Sequence, residues 1–164
     1  MEKIYSLKDP KILLHMVYRL EDFKNDREDI IDDENFLQLS SLKMKAGKTF
    51  RPHRHIVREG PRYTIAQESW VIVRGSVRVF YYDLDNSLIK EVVLNQGDCT
   101  ITLDGGHTYK SLDEDTLVYE FKTGPYTGQE NDKIFIDTDS RGDYKDHAQG
   151  EAFKRWQEKS LLQQ

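Results

Sequence analysis

The sequence predicts an all-β fold, a sandwich or barrel of short strands. The first observation is a series of segments rich in β-branched, aromatic and alternating apolar residues, at positions 36–44, 69–73, 77–82, 89–94, 99–103 and 116–121. The second is their spacing, because Gly, Asp and Asn residues separate these segments at intervals of roughly ten residues. No stretch between residues 36 and 123 has helical periodicity, which favours strands throughout this region.

The length and composition of the chain fit one domain. The 164 residues include 2 Trp, 9 Tyr and 7 Phe residues, enough aromatic side chains for a core of modest size. A chain of this length buries roughly two thirds of its unfolded surface on folding. We expect residues 1–164 to form a single domain, with an N-terminal arm at 1–35, a barrel core at 36–123 and a C-terminal extension at 124–164.

The two flanking regions differ from the core in composition. Residues 12–18 of the arm form a short β-like run, and residues 21–34 carry eight acidic residues, which predicts a solvated loop or a short helix. The extension opens with a Gly-Pro-Tyr turn at 124–126 and contains one short apolar run at 134–136. Residues 151–159 place Ala152, Phe153 and Trp156 on one helical face, which predicts a short C-terminal helix.

Charge and cysteine content exclude several classes of protein. The formal net charge of -5 offers no general basic field for nucleic acid or for an anionic membrane. No apolar run approaches the ~20 residues of a membrane span, and no signal-peptide pattern opens the chain, so we expect a cytoplasmic protein. The single cysteine, Cys99, can form neither an internal disulfide nor a cysteine-based zinc site, and we expect it in the core. Any metal would therefore need histidine and carboxylate ligands.

His53 and His55 are the first candidate ligands. Residues two apart in a strand project to the same face, so both imidazoles can point at one centre. Neutral imidazole is the commonest transition-metal ligand in proteins, although two histidines at this spacing are a weak signal by themselves. His15 and His147 have no partner at ligand spacing, and we expect them at the surface.

Residues around this pair extend the pattern into two motifs. The first contains Gly47, then His53 and His55, then Glu68 and Gly75, and the second contains Gly97, Asp98, Gly105, Gly106 and His107. The arrangement resembles the two motifs of the cupin superfamily. This resemblance implies a jelly-roll β-barrel whose interior holds one divalent transition metal ion, Fe, Mn, Ni, Co or Zn. It also implies the ligands His53, His55, Glu68 and His107.

The chain departs from the usual cupin pattern at three places. Twelve residues separate His55 from Glu68, where the motif has three or four, and the insertion contains a Gly-Pro turn that predicts a hairpin or lid at the barrel mouth. The second motif has Leu103 in place of a proline, reaches its histidine one residue early and has Ser111 in place of an asparagine. Gln67 precedes Glu68, and strand alternation lets only one of them face inward. The offset from Gly75 and the carboxylate charge favour Glu68 as the fourth ligand.

Further candidates lie outside the two motifs. Glu120 and Lys122 project to one face of their strand, so an inward orientation would make them an acid/base pair, and an outward one an ordinary exposed edge. The aromatic residues on the opposite face favour the exposed alternative slightly. Tyr109 is a further acid/base candidate, and Arg62 and Tyr63 are candidates for substrate binding at the barrel mouth.

Two functions of different classes fit these residues. The first is a metal-dependent enzyme acting on a small polar substrate, carbohydrate-like or an oxyacid, by isomerase/epimerase-type or dioxygenase-type chemistry. The second is a non-catalytic module that binds a sugar or metabolite, with a structural metal or none. The Gly-Pro-Tyr turn and the Asp132-Lys133 pair are similar to cupins from polysaccharide and sugar-nucleotide gene groups, which implies carbohydrate metabolism. Arms that cover barrel edges predict a homodimer.

Overall fold

The structure of the protein is a computed structural model that describes residues 1–58, 64–138 and 144–145. The secondary structure of these residues consists of strands and two 3₁₀ turns, Leu20–Asp22 and Gln129–Asn131. In chain order, the strands are β1 (Glu2–Tyr5), β2 (Leu13–Val17), β3 (Arg27–Asp29), β4 (Leu37–Met44), β5 (His53–His55), β6 (Val57–Arg58), β7 (Thr64–Ile65), β8 (Glu68–Arg74), β9 (Ser76–Tyr82), β10 (Leu88–Asn95), β11 (Cys99–Thr102), β12 (Gly106–Ser111), β13 (Thr116–Thr123), β14 (Lys133–Phe135), β15 (Asp137–Thr138) and β16 (Tyr144–Lys145). No helix in this part of the chain has the length and apolar character of a membrane span.

Two five-stranded antiparallel sheets face each other. One has the strand order β10-β9-β12-β5-β14, and the other has the order β11-β8-β13-β4-β3. The pairs β1-β2, β6-β7 and β15-β16 form separate two-stranded sheets. The predicted all-β fold is therefore confirmed, and each large sheet contains one strand from a flanking region, β3 or β14, beside the strands of the core.

The interior between the sheets is layered along the strands. On β8, the buried residues Glu68, Trp70 and Ile72 alternate with less buried ones, because successive side chains in a strand point to opposite faces. On β12, His107 and Tyr109 are two residues apart and share the interior face, although Thr108 between them is also buried. Charged and imidazole groups thus form the first interior layer, and an aromatic pair, Trp70 and Tyr109, forms the second and belongs to the apolar core cluster. That cluster consists of Leu42, Met44, Trp70, Ile72, Val77, Val79, Tyr109 and Val118.

Two motif glycines permit turns that close the barrel. Gly75 joins β8 to β9 with a φ of +76°, and Gly105 precedes β12 with a φ of +78°. L-residues with a side chain rarely adopt this conformation. A Cβ atom at Gly75 would also lie 2.8 Å from Thr116 Oγ1, and one at Gly105 would lie 2.6 Å from the Tyr82 carbonyl oxygen. Both positions therefore exclude larger residues for conformational and steric reasons.

The N-terminal arm is more structured than its composition indicates. β2 confirms the predicted β-like run, and β1, which the sequence analysis missed, pairs with it. The acidic stretch 21–34 is neither a continuous solvated loop nor an α-helix, because it contains a 3₁₀ turn and β3, which pairs with β4. Phe23 and Ile30 from this stretch are buried. The charged residues thus alternate with side chains that pack on the sheet.

Several further expectations can be compared with the structure. The predicted core position of Cys99 is wrong, because β11 is an edge strand whose outer face carries Cys99 and Ile101 in exposed positions. His15 is exposed, as expected. The insertion after His55 forms a hairpin in which β6 pairs with β7, and its tip at 59–63 lies outside the described residues. The predicted C-terminal helix and His147 also lie outside the described residues, and the homodimer and the cytoplasmic location stay predictions.

Candidate metal centre

Four buried side chains from three strands converge inside the barrel. His53 and His55 come from β5, Glu68 from β8 and His107 from β12. Each offers a ligand atom, and the four atoms lie within 4.8 Å of one another. β12 pairs with β5 so that His107 lies directly opposite His53, and Glu68 reaches across from the facing sheet. Antiparallel pairing and the alternation within β5 therefore bring together residues that are up to 54 positions apart.

His53 is prepared to act as a neutral ligand. Its Nδ1 lies 3.1 Å from the Arg51 carbonyl oxygen, so Nδ1 carries the hydrogen and Nε2 carries a lone pair. Nε2 is buried and has no hydrogen-bond partner among the described residues. Burial, followed by the nearby His107 and Lys133, lowers the pKa of His53 to about 3. A buried nitrogen lone pair without a donor is a position that a metal ion would satisfy.

Glu68 lies between the other two imidazoles. Its Oε1 is 3.1 Å from His107 Nε2, and its Oε2 is 3.4 Å from His55 Nε2. Burial opposes ionisation of Glu68, but the adjacent His107 and His55 outweigh that effect and hold its pKa well below the usual range. The carboxylate is therefore ionised, and it supplies the negative charge that a divalent cation requires in a buried site.

Strand alternation decides between Gln67 and Glu68. Glu68 is 4% exposed and faces the three histidines. Gln67 is exposed, and its backbone N–H donates to Thr123 Oγ1 at 3.0 Å. The inward position thus belongs to the carboxylate that the sequence motif favours.

Asp132 is a buried carboxylate next to the candidate metal ligand His55. It is 1% exposed, and its Oδ2 lies 3.3 Å from His55 Nδ1 and 3.2 Å from Lys122 Nζ. Burial opposes protonation of His55, but Asp132 and Glu68 outweigh burial and raise the pKa of this imidazole. A carboxylate on Nδ1 orients the ring and leaves Nε2 directed toward the other ligands, the arrangement that ligating histidines use in metal sites.

Glu120 and Lys122 face the interior, contrary to the slight preference for an exposed edge. β13 pairs with β8 so that Glu120 lies opposite Trp70 and Lys122 lies opposite Glu68. The aromatic residues on the other face of β13 are covered by the N-terminal arm, where the rings of Tyr119 and Phe23 are 5.0 Å apart. The arm therefore covers these aromatic side chains, which in an isolated barrel would have to face the interior to be buried.

The carboxylate of Glu120 has two partners. Arg27 donates to its Oε1 at 2.8 Å, and the indole N–H of Trp70 donates to its Oε2 at 3.1 Å. Arg27 also bonds Asp29 and Ser40, so a single guanidinium from β3 connects the arm to the barrel wall. Burial raises the pKa of Glu120 and the charge of Glu68 adds to this effect, although Arg27 opposes it.

A cavity of about 240 Å³ opens beside the cluster. His53 and Glu68 reach its wall, which also includes the charged residues Arg27, Glu120, Lys122 and Lys133. Trp70 and Tyr109 contribute aromatic surface, and Tyr126 lies below the ammonium of Lys122, which is 4.3 Å from the ring centroid. A small polar molecule in this cavity would contact two of the four candidate ligands and the Glu120–Lys122 face of β13.

The remaining candidates are Tyr109, Arg62 and Tyr63. Tyr109, the further acid/base candidate, is 2% exposed and stacks on Trp70. This stacking uses one face of its ring, and burial raises the pKa of its hydroxyl well above the usual range. The candidate substrate-binding residues Arg62 and Tyr63 lie outside the described residues.

Sequence reasoning did not find three residues of the cavity and its support. Arg27 lies within the acidic stretch of the arm, where nothing in the composition distinguishes it. Asp132 and Lys133 were noted only for their resemblance to certain cupins. The signal for Lys133 was the short apolar run that follows it, since this run forms β14 beside β5.

The donor set fits a first-row transition metal ion. Three imidazoles and one carboxylate suit Fe(II), Mn(II), Co(II), Ni(II) or Zn(II), and a five- or six-coordinate ion of this kind keeps positions for water or substrate. The buried lone pair of His53 and the ionised Glu68 supply the neutral and anionic ligands that such an ion needs.

Comparisons with solved structures identify the fold. The chain is similar to an uncharacterised conserved protein with a double-stranded β-helix domain from Klebsiella pneumoniae, at 11% identity and a TM-score of 0.56, covering 76% of this chain and 100% of that one. It is also similar to the capsular polysaccharide assembling protein CapF from Staphylococcus aureus, at 18% identity and a TM-score of 0.55, covering 66% of this chain. The chain spans 31% of the length of CapF. No protein-family model and no curated protein sequence matches the chain.

These similarities establish the architecture. The two five-stranded sheets form a double-stranded β-helix, the jelly-roll barrel that the resemblance of the sequence motifs implies. At this level of identity the comparisons describe the fold and leave the chemistry to the site itself.

Proposed function

We propose that the protein is a metal-dependent enzyme that acts on a small polar substrate in the cavity beside His53, His55, Glu68 and His107. The observation that carries this proposal is the convergence of these four buried side chains, whose ligand atoms lie within 4.8 Å of one another. Three imidazoles and a carboxylate are costly to bury without a compensating partner, and a divalent cation compensates all four. Such an ion would polarise a carbonyl or hydroxyl oxygen of the substrate, or activate dioxygen if it is iron.

The chain's own residues have distinct roles in this proposal. His53 and Glu68 reach the cavity wall and would present the ion to a substrate, whereas His55 and His107 would hold the ion on the side away from the cavity.

Glu120 faces the same cavity, and its raised pKa suits a group that takes a proton from a carbon next to a carbonyl and returns it. Lys122, which is held by Asp132, would orient a substrate oxygen. The buried Trp70–Tyr109 pair would keep water away from its side of the cavity.

Proton transfer by Glu120, with Lys122 orienting a substrate oxygen, corresponds to isomerase or epimerase chemistry. A tightly held iron would favour dioxygenase chemistry, because iron can activate dioxygen and the other candidate ions suit carbonyl polarisation better. The substrate class consistent with a polar cavity of about 240 Å³ is a small carbohydrate-like molecule or an oxyacid.

A non-catalytic binding module is the second candidate, and one observation favours it. Both oxygens of the Glu120 carboxylate already accept hydrogen bonds, and Lys122 is bound to Asp132. Such engaged groups can line a binding site for a sugar or metabolite without transferring protons. Retention of substrate without turnover by metal-loaded protein would support this function over the enzyme.

Elemental analysis of protein purified without added metal tests the proposal. We expect about one equivalent of a transition metal, lost in His53→Ala and His55→Ala variants and retained in His15→Ala, which removes an exposed histidine. Stoichiometric iron would favour oxygen chemistry, and zinc or manganese would favour isomerisation. Metal content well below one equivalent that is unchanged in the His53→Ala and His55→Ala variants would contradict the proposal.

A further inference from the structure

We propose that Lys133 anchors a carboxylate group of the substrate, so that the cavity takes small hydroxy or oxo acids. This inference rests on the proposed function, because the hydroxyl or carbonyl end of such an acid would occupy the metal centre. It goes further by naming the charged group of the substrate and the residue that recognises it.

The position of Lys133 follows from strand register. β14 pairs with β5 so that Lys133 lies directly opposite His55, and directly opposite residues in an antiparallel pair project to the same face. His55 faces the barrel interior, so Lys133 faces it too, and its side chain contributes to the cavity wall beside His53 and Glu68. The influence of its charge on His53 is consistent with this position.

The other two cations of the cavity wall are already neutralised. Arg27 bonds Asp29 and Glu120, and Lys122 bonds Asp132. Lys133 differs, because no carboxylate of the described residues lies within ion-pair distance, 4.0 Å, of its ammonium. It is only partly exposed. The cavity therefore contains one positive charge that has no carboxylate partner in the part of the chain that the structure describes, next to the candidate metal ligands.

The character of this charge points to a carboxylate. One ammonium matches the single negative charge of a carboxylate, whereas a phosphate group carries almost two negative charges. Phosphate is also bound preferentially by forked guanidinium groups, and the guanidinium of Arg27 is already occupied by Asp29 and Glu120. Glu68 and Glu120 in the same wall would repel a second anionic group. A neutral sugar would leave the ammonium of Lys133 unpaired. A small acid with one carboxylate and one hydroxyl or carbonyl oxygen satisfies both the ammonium and the metal centre.

The test uses full-length protein loaded with Zn(II), glycolate as a two-carbon hydroxy acid, and NMR titration of the labelled ligand. We expect wild-type protein to bind glycolate, and Lys133→Met to weaken this binding by about tenfold, the effect of losing one charged hydrogen bond. Lys133→Arg should restore most of the affinity because it keeps the charge. Lys90→Met, which removes an exposed lysine of β10, is the matched control and should bind glycolate like wild type.

Glycolamide, the neutral analogue, should bind more weakly than glycolate to wild type and equally to wild type and Lys133→Met. Equal glycolate affinity in zinc-loaded wild type and Lys133→Met would overturn this inference and leave the proposed function standing. Tighter binding of inorganic phosphate than of glycolate to wild type would overturn the assignment of a carboxylate. Failure of the wild-type protein to bind zinc or any of the other four candidate ions would instead overturn the proposed function, so the two failures are distinguishable.

Discussion

Trp70 and Tyr109 stack face to face inside the barrel, with ring centroids 3.8 Å apart and planes 5° from parallel. Trp70 belongs to β8 and Tyr109 to β12, strands of opposite sheets. The same two strands carry Glu68 and His107 two residues earlier. The stacked pair therefore joins the sheets and separates the candidate metal ligands from the aliphatic core.

Truncation of this pair should destabilise the whole domain. Trp70 is 1% exposed, so Trp70→Ala loses its apolar burial, leaves a cavity and removes the hydrogen bond to Glu120. We expect a loss of about 3–5 kcal/mol in the free energy of unfolding, measured by urea denaturation. The control is Leu103→Ala, which truncates a side chain that is 61% exposed and should change stability by less than about 0.5 kcal/mol. Similar losses in both variants would contradict the role of the stack.

The ligand cluster could be predicted from the sequence because its geometry depends on short-range rules. His53 and His55 share a face through strand alternation alone, and the offset between Glu68 and Gly75 selects the carboxylate over Gln67. The order of the strands within the sheets then brings His107 to the same place, as the resemblance implies. Local alternation and a family pattern were sufficient for these four positions.

The cavity wall could not be predicted in the same way, because it depends on pairing between distant segments. Lys133 reaches the interior only through its register with His55, and no local pattern specifies that register. The orientation of Glu120 was uncertain for a related reason. The aromatic residues of β13 needed an apolar partner, and Phe23, which provides it, lies in a stretch whose composition indicates a solvated segment.

Metal removal should lower the stability of the protein. A ligand that binds only the folded state stabilises it by about 2.7 kcal/mol at a free concentration one hundred times its Kd. We therefore expect added Zn(II) or Mn(II) to raise the midpoint of thermal unfolding, and a chelator to reverse the increase. His107→Ala should abolish the metal-dependent shift, whereas His15→Ala should retain it. A shift of equal size in both variants would show that the metal binds elsewhere.

Glu120 should make the stability of the protein fall as pH rises above the usual carboxyl range. Burial, supported by Glu68, raises the pKa of Glu120 in the folded state above its ordinary value of 4.5. Between these two values the folded state binds more protons than the unfolded state, so stability decreases with rising pH. Glu120→Gln removes this contribution, and its unfolding free energy should decline less between pH 4.5 and neutral pH than that of wild type.

The measurement is urea denaturation at several pH values, on wild type and Glu120→Gln in parallel. Asp115→Asn provides the control, because the exposed Asp115 has a lowered pKa through its pair with Arg74. Loss of a group with a lowered pKa cannot reduce a decline in stability toward neutral pH. Parallel pH profiles for wild type and Glu120→Gln would contradict the prediction.

Asp132 should determine how tightly the histidine cluster holds a metal. Its carboxylate lies 3.3 Å from His55 Nδ1 and orients the imidazole, and loss of such a partner typically weakens metal binding by about 10–100-fold. We expect this decrease in Asp132→Asn, measured by competition with a chromophoric chelator, and partial recovery in Asp132→Glu. Asp115→Asn, which alters an exposed carboxylate with cationic partners, should bind metal like wild type. The variant Lys122→Met tests which contact of Asp132 matters for metal binding. Unchanged metal affinity in this variant would assign the effect of Asp132 to its contact with His55. A decrease equal to that of Asp132→Asn would contradict that assignment.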